Sequence, residues 1–397
     1  MTNNQNKPRE FDAVLGGEAS PTTDAVLGGV EGIKKRLASP YAEIRVAALQ
    51  DTLNYQTEGL NLVIHSLHDC SRKVRQAAYN LLRDRIEPQV KQVLQEYKYW
   101  DLIERIDEPL NEGYIYNTFK NFYNRQVESS DPKIGLQNPA EKAYVLDDNV
   151  TTFLREPEVN KVEALIFRGY YDLWRILSPD ILKNIKALFY GPYDIDYQIS
   201  WTYIEDISLI LKGLSNLEML LVRGGDDKSP WKKFIYLRHE YLKALIVETG
   251  GLGRNKIAQI LSLTLPALEH LELWLGTDEY GGNSSIDDLM PIFSGNLFPE
   301  LTYLGLRNSE YANNIAVTIV NSPVINKIKV LDLSLGDLGD EGAEALLNCP
   351  AVNQLDILNV SHNCLTEEMV ERLKLLDVEV IADTEKEPGD RYCSVSE

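Results

Sequence analysis

Leu268–Gly276 reads LEHLELWLG, with leucine at its first, fourth and sixth places. The same apolar spacing, L-x-x-L-x-L or its equivalents, starts at Val162, Ile185, Leu217, Leu242, Leu268, Leu301, Ile328 and Leu355. Steps of 25, 26, 27 and 27 residues separate most of these starts, and steps of 32 and 33 imply insertions. A recurring period of this size marks a solenoid, in which each unit covers its apolar face with its neighbours.

Between the starts, helical segments are expected at Ile204–Lys212, Asn255–Ser262, Ile286–Phe293, Ala312–Val320, Gly342–Leu347 and Glu367–Leu375. Short strands alternating with helices at this period give a parallel sheet with helices on its other side. Gly225, Gly250, Gly276, Ser309, Gly336 and Asn363 follow the strands, and such residues suit tight turns. Asn363 is the one best placed to hydrogen-bond a neighbouring loop. Val378–Ile381 reads as a last edge strand, with Asp383, Glu385 and Glu387 beside it to discourage edge pairing. The repeat domain is therefore set at 161–383, followed by a disordered acidic tail over 384–397.

The chain has 397 residues and a net charge of −20, unevenly spread. Residues 31–98 hold 11 Lys/Arg and 8 Asp/Glu, a balance of +3, whereas residues 99–397 hold 27 bases and 48 acids, a balance of −21. The asymmetry argues for two units and excludes nucleic acid as the partner of the second, because phosphate contacts need clustered cations. Cys70, Cys349, Cys364 and Cys393 form no C-x-x-C pair, so neither a zinc knuckle nor a disulfide framework is expected. No stretch approaches the ~18 apolar residues of a membrane span and no signal peptide is visible, which points to the cytoplasm and to no membrane insertion. Gly250-Gly251-Leu252-Gly253-Arg254 lacks the Lys and hydroxyl of a phosphate loop, and no cofactor is implied.

Residues 1–30 read as a flexible segment in which DAVLGG occurs twice, at Asp12–Gly17 and Asp24–Gly29. Three readings stay open: two apolar tethers, a duplicated docking motif acting by avidity, or processing after the double glycine. Residues 31–98 are a helical domain by pattern, with helical periodicity from Gly32 to about Tyr97 and one helix starting at Ser39-Pro40. Ile44–Leu49 is echoed thirty residues later by Val74–Tyr79, and Asp69 precedes Val74-Arg75 with Ala78 one turn on. This D-x-x-x-x-V-R-x-x-A arrangement resembles a HEAT repeat. Residues 11–98 resemble the short HEAT-like segment at the front of assorted cyanobacterial multidomain proteins. Lys34, Lys35, Arg36, Arg72, Lys73, Arg75, Arg83 and Arg85 give this module a basic face, either solvated or docking an acidic partner. Residues 99–160, dense in aromatics, read as a linker and a cap for the solenoid, with a loop at Ser129–Pro139 and a short helix at Asn149–Arg155.

More specific phrases run through the repeats: ISW (199–201), LVRGG (221–225), VETGGL (247–252), LEHLELWLG (268–276), YGG (280–282), LGLRNS (304–309) and LDLSLG (331–336). Together they resemble a family of uncharacterised bacterial leucine-rich-repeat proteins of the ribonuclease-inhibitor-like type, over about residues 160–383. The resemblance implies an α/β leucine-rich-repeat solenoid, with the parallel sheet on its concave face and helices outside. Here a small all-α HEAT-like domain precedes it, a fusion that the family's usual members lack. It carries over no activity. Ser361-His362-Asn363 departs from a more His-rich stretch expected there.

By the alternation of a strand, the third, fifth and seventh places of each repeat face away from the helices. Ile166, Phe189, Leu221 and Ile246 then form an apolar strip. Arg223, Glu248, His270, Glu272, Trp274, Tyr303, Arg307 and Asp332 gather beside it. Arg and Trp are typical binding anchors, and an exposed apolar strip marks an interaction site. Phe189, Leu221, Arg223, Ile246, Glu248, His270, Glu272, Trp274, Tyr303, Arg307 and Asp332 are therefore the expected partner-binding residues. The opposing reading pairs the charges across strands and covers the strip with residues 99–160. Glu248, His270 and Glu272 supply the acids and base of a hydrolase or transferase, but no nucleophile with a partnered base accompanies them. His65 and His68, at helical spacing, lack companion ligands. The expectation is a non-catalytic cytoplasmic adaptor binding an unknown protein or peptide, without metal. The alternative is a regulatory subunit that recruits an enzyme through the HEAT-like module.

Overall fold

The computed structural model describes residues 29–69, 71–83, 85–96, 121–131, 133–146, 150–168, 181–191, 199, 203–204, 206–225, 236–384, 386 and 391–395. Both hexapeptides, apart from Gly29, lie outside them, as do Cys70, residues 97–98 and residues 99–120 of the expected linker. The chain divides into two units, Met1–Leu102 and Ile103–Glu397.

In the first unit the described residues form helices at Gly29–Leu37, Ala42–Thr52, Gln56–Ser66, Arg72–Leu82 and Pro88–Glu96. The two echoing segments fall on the second and fourth of these. Their alanines Ala48 and Ala78 are wholly buried, which lets the helices approach closely. Asp69 ties them together: its carboxylate accepts from Arg45 Nε at 3.0 Å and Nη2 at 2.9 Å, while its carbonyl accepts from Arg75 at 2.9 Å. The expected basic face is partly neutralised inside the unit. Lys34 meets Glu31 and Glu58, and Arg36 meets Asp51. Lys35 and Lys73 remain exposed.

Among the described residues of the second unit, the strands form one twelve-stranded sheet in strict chain order. Its strands are β1 Asn121–Phe122, β2 Arg125–Ser129, β3 Lys142–Leu146, β4 Ala164–Phe167, β5 Ala187–Tyr190 and β6 Met219–Arg223. The remainder are β7 Ala244–Glu248, β8 His270–Gly276, β9 Tyr303–Ser309, β10 Val330–Asp332, β11 Ile357–Asn359 and β12 Glu379–Ile381. All neighbours are parallel except β1 and β2. Helices at Ile207–Gly213, Arg254–Ser262, Ile286–Phe293, Ala312–Ile319, Asp340–Leu347 and Glu367–Leu373 lie near the expected positions. Asp206 and Thr366 cap two of them by accepting backbone N–H groups, and Ser285 with Asp288 forms a capping box on a third.

The core between sheet and helices is built from the fourth and sixth places of each repeat, such as Leu271, Leu273, Leu304 and Leu306, packed against Ile257, Ile260, Leu289 and Ile315. Asn363 is fully buried; it donates to Leu333 O at 2.9 Å and accepts from Leu338 N–H at 2.9 Å, stitching neighbouring turns. Gly276 holds φ at 65°, and a Cβ there would stand 1.7 Å from Gly250 O, so only glycine fits this crossing.

Two expectations need correction. The cap within 99–160 contributes β1, β2 and β3 to the sheet itself, which therefore begins before residue 161. Arg125 fastens this start: buried, it donates to Ala140 O and Tyr123 O and pairs with Glu163 of the first repeat. The segment past 384 is not disordered at residues 391–395. Cys393 is 5% exposed and Val395 is 1% exposed; Val395 is held by apolar contact with Ile199, Trp274 and Leu335 and by the Asn308 side chain. No helix among the described residues is long and apolar enough to cross a membrane.

Candidate functional site

Strand register lays the candidate residues in rows. Ile166, Phe189, Leu221, Ile246, Glu272, Gly305, Asp332 and Asn359 stand side by side from β4 to β11. His270 is in register with Tyr303, Arg223 with Glu248, and Trp274 with Arg307. Neighbouring strands run ~4.8 Å apart, so side chains on one row touch. The rows are those that the repeat spacing predicts.

The expected exposure of these rows is overturned. Phe189, Leu221, Glu248, Glu272 and Asp332 are wholly buried and Ile246 is 1% exposed; Arg223, His270, Trp274, Tyr303 and Arg307 lie between 4% and 8%. The reason is legible in the strands themselves. ALIF, ALFY, MLLV and ALIV are apolar on both faces, the pattern of strands covered on both sides. The charges, in turn, find partners on adjacent strands.

Two polar clusters result. In the first, Arg223 Nε donates to Glu248 Oε2 at 2.6 Å, and the guanidinium lies 5.1 Å over the Phe189 ring. In the second, Arg307 donates through Nη1 to Glu272 Oε1 at 2.9 Å and through Nε to Ser334 Oγ at 2.9 Å, with Asp332 Oδ2 3.6 Å from Nε. Trp274 Nε1 also donates to Glu272 Oε1, at 2.7 Å, and the Arg307 guanidinium sits 5.1 Å over the indole. Tyr303 Oη and Asn359 Nδ2 both donate to Asp332 Oδ2, at 2.8 and 3.0 Å. His270 stacks on Tyr303 with centroids 3.8 Å apart, and its Nε2 is 3.3 Å from Glu272 Oε2. Gly305 makes room for the crossing, since a Cβ there would lie 3.1 Å from both Glu272 Cγ and Tyr303 Cε1.

Electrostatics fix the protonation of two members. Burial, then the Asp332 and Glu272 carboxylates, hold the Tyr303 hydroxyl well above its ordinary pKa, so it stays a donor. Burial alone would lower Arg307, but Asp332 and Glu272 more than offset it and the guanidinium stays charged. The cluster is thus two carboxylates bridged by one permanent cation.

The structure does not bring the three residues of the enzyme alternative together. His270 adjoins Glu272, but Glu248 is committed to Arg223. It lies four residues beyond Ala244, the register partner of His270, roughly 13 Å along the strand. Among the described residues no group of three or more His, Cys, Asp or Glu is arranged to hold a metal ion.

Sequence reasoning missed one residue of consequence. Asn308, fully buried with φ at 53°, turns its side-chain amide onto the backbone of Val395: Nδ2 donates to Val395 O at 2.6 Å and Oδ1 accepts from Val395 N–H at 2.9 Å. The Val395 side chain packs with Ile199, Trp274 and Leu335. An asparagine following arginine inside the LGLRNS strand, where a buried apolar residue would be ordinary, was the available signal.

No family model matches the chain, and no curated protein matches it. Among solved structures, a Bacteroides fragilis protein from structural genomics superposes with a TM-score of 0.58 at 25% identity, covering 65% of this chain and 78% of that one. TLR13, solved in a complex with a single-stranded RNA, reaches a TM-score of 0.32 at 14% identity, covering 62% of this chain and 37% of that one.

Proposed function

We propose that this chain is a non-catalytic, cytoplasmic adaptor whose leucine-rich-repeat-like unit binds a protein or peptide, and that the helices of residues 31–98 are a HEAT-like module. One observation carries the binding reading: the rungs from Arg223 to Asp332 are interlocked across strands, so the sheet is a preformed platform that loses little ordering entropy on association. The same interlocking weighs against the hydrolase or transferase alternative, because the acids are engaged by Arg223, Arg307 and Trp274. Of the expected contact residues, those of the strip act as support, and Trp274 is buried with Ile199, Leu335 and Val395.

The runner-up places recruitment of an enzyme on the basic face of the first unit, where Lys35 and Lys73 are exposed. Capture of partners from source-organism lysate by the full-length chain, followed by cross-linking mass spectrometry, separates the two. Cross-links within residues 121–395, unaffected by Lys35→Glu with Lys73→Glu, are expected. Cross-links confined to residues 29–96 and abolished by those changes would transfer the function to the first unit.

A further inference from the structure

The segment Arg391–Val395 is held as a ligand is held. Asn308 reads both backbone groups of Val395, a donor and an acceptor on one side-chain amide matched to the C=O and N–H of one residue. Ser394 N–H donates to Leu335 O at 2.8 Å, a second backbone contact of the kind an added strand makes. The Val395 side chain fills a site between Ile199, Trp274 and Leu335. Four residues before it, Arg391 meets Asp337 on the rim, with a carboxylate oxygen 3.4 Å from Nη2. Burial raises the Asp337 carboxyl while Arg391 lowers it, so a cation there satisfies a costly group. Asp278, Glu279 and Glu310 also lie in the turns after β8 and β9.

We propose that this is a peptide-binding site occupied in cis by the chain's own segment, and that its partner is an extended peptide carrying Arg or Lys four residues before a small branched apolar residue. The proposal rests on the binding reading above and adds the place and the partner's chemistry. Recognition of the backbone by Asn308 is indifferent to sequence; the apolar site and the acidic rim supply the selectivity. The segment is held by hydrogen bonds at Val395 N–H, Val395 O, Ser394 N–H and Tyr392 O, by the Arg391–Asp337 pair and by two buried side chains, Cys393 and Val395, so a partner displaces it only by making more contacts than these against the high effective concentration of a tethered ligand. The strong negative charge of residues 99–397 favours encounter with a basic peptide.

The test uses the full-length chain and a fluorescent peptide of sequence RYCSVSE (residues 391–397), blocked at both ends and kept reduced. Val395→Asp unseats the tethered copy and is expected to bind the added peptide at least tenfold tighter than wild type. Asn308→Ala in the same background should reverse that gain, and a peptide with Glu in place of its Arg should bind less well. Should Val395→Asp fail to melt cooperatively, Ser394→Pro, which removes the N–H given to Leu335 and restricts the backbone at Cys393, takes its place. Equal binding to wild type and to the unseated variant, or binding indifferent to Asn308→Ala, would overturn the proposal. A concentration-dependent dimer of wild type, dissolved by Val395→Asp, would also overturn it, making a second copy the occupant. Failure of the peptide alongside lysate cross-links within 121–395 removes only this site; loss of both removes the binding reading too.

Discussion

Arg223→Glu is expected to melt well below wild type. The change leaves Glu248 wholly buried opposite a second carboxylate, in place of the guanidinium 2.6 Å away. Breaking a buried ion pair by removing one partner costs about 3–5 kcal/mol, and like charge in the same space adds to it. For a unit of this size that corresponds to a fall of roughly 10 °C or more in the thermal midpoint. Acid should relieve part of the loss, since protonating one of two adjacent carboxyls removes their repulsion. Thermal unfolding followed by circular dichroism at neutral and acid pH measures both effects. A midpoint within a degree or two of wild type would mean that this face is open to water after all.

Arg307→Ala is the second large effect. Its side chain is the cation between Glu272 and Asp332, both wholly buried, and it also lies over Trp274. Removal leaves two carboxylates without their shared charge, again a loss of about 3–5 kcal/mol. Arg307→Lys should recover little of it, because one ammonium cannot reproduce a fork that reaches Glu272 through Nη1 and Ser334 through Nε. Glu272→Gln in the Arg307→Ala background should cost much less than Glu272→Gln alone. The signature is a coupling energy of the order of 1–3 kcal/mol in a double-mutant cycle. Additive losses would show that Arg307 and Glu272 do not act as a pair.

The sequence carried the register well because a period of about 26 residues and an alternation of two leave little freedom. Once Leu268 is placed, His270, Glu272 and Trp274 must share the face away from the helices, and β8 and β9 pair as the spacing requires. What alternation does not encode is whether that face meets water. The apolar fifth places of β4 to β7, read as an exposed strip, were instead the sign of strands buried on both sides. The start of the sheet at β1 to β3 escaped because those strands lack the repeat spacing and join the repeats only through the pairing of β1 with β2, β2 with β3 and β3 with β4. The seating of Val395 was invisible for a different reason: its partners Asn308 and Leu335 lie 60 or more residues away, and nothing in a short polar stretch announces so distant a contact.

Native-state hydrogen exchange of the full-length chain, resolved by peptide mass spectrometry, bears most directly on the claim of a locked platform with an exchangeable occupant. Amides of β8 and β9 should exchange only with global unfolding, while those of residues 391–395 exchange orders of magnitude faster through local release. Rapid exchange in β8 and β9 would contradict the locked network. Protection of residues 391–395 equal to that of the strands would make the segment a fixed part of the fold and contradict its role as a placeholder.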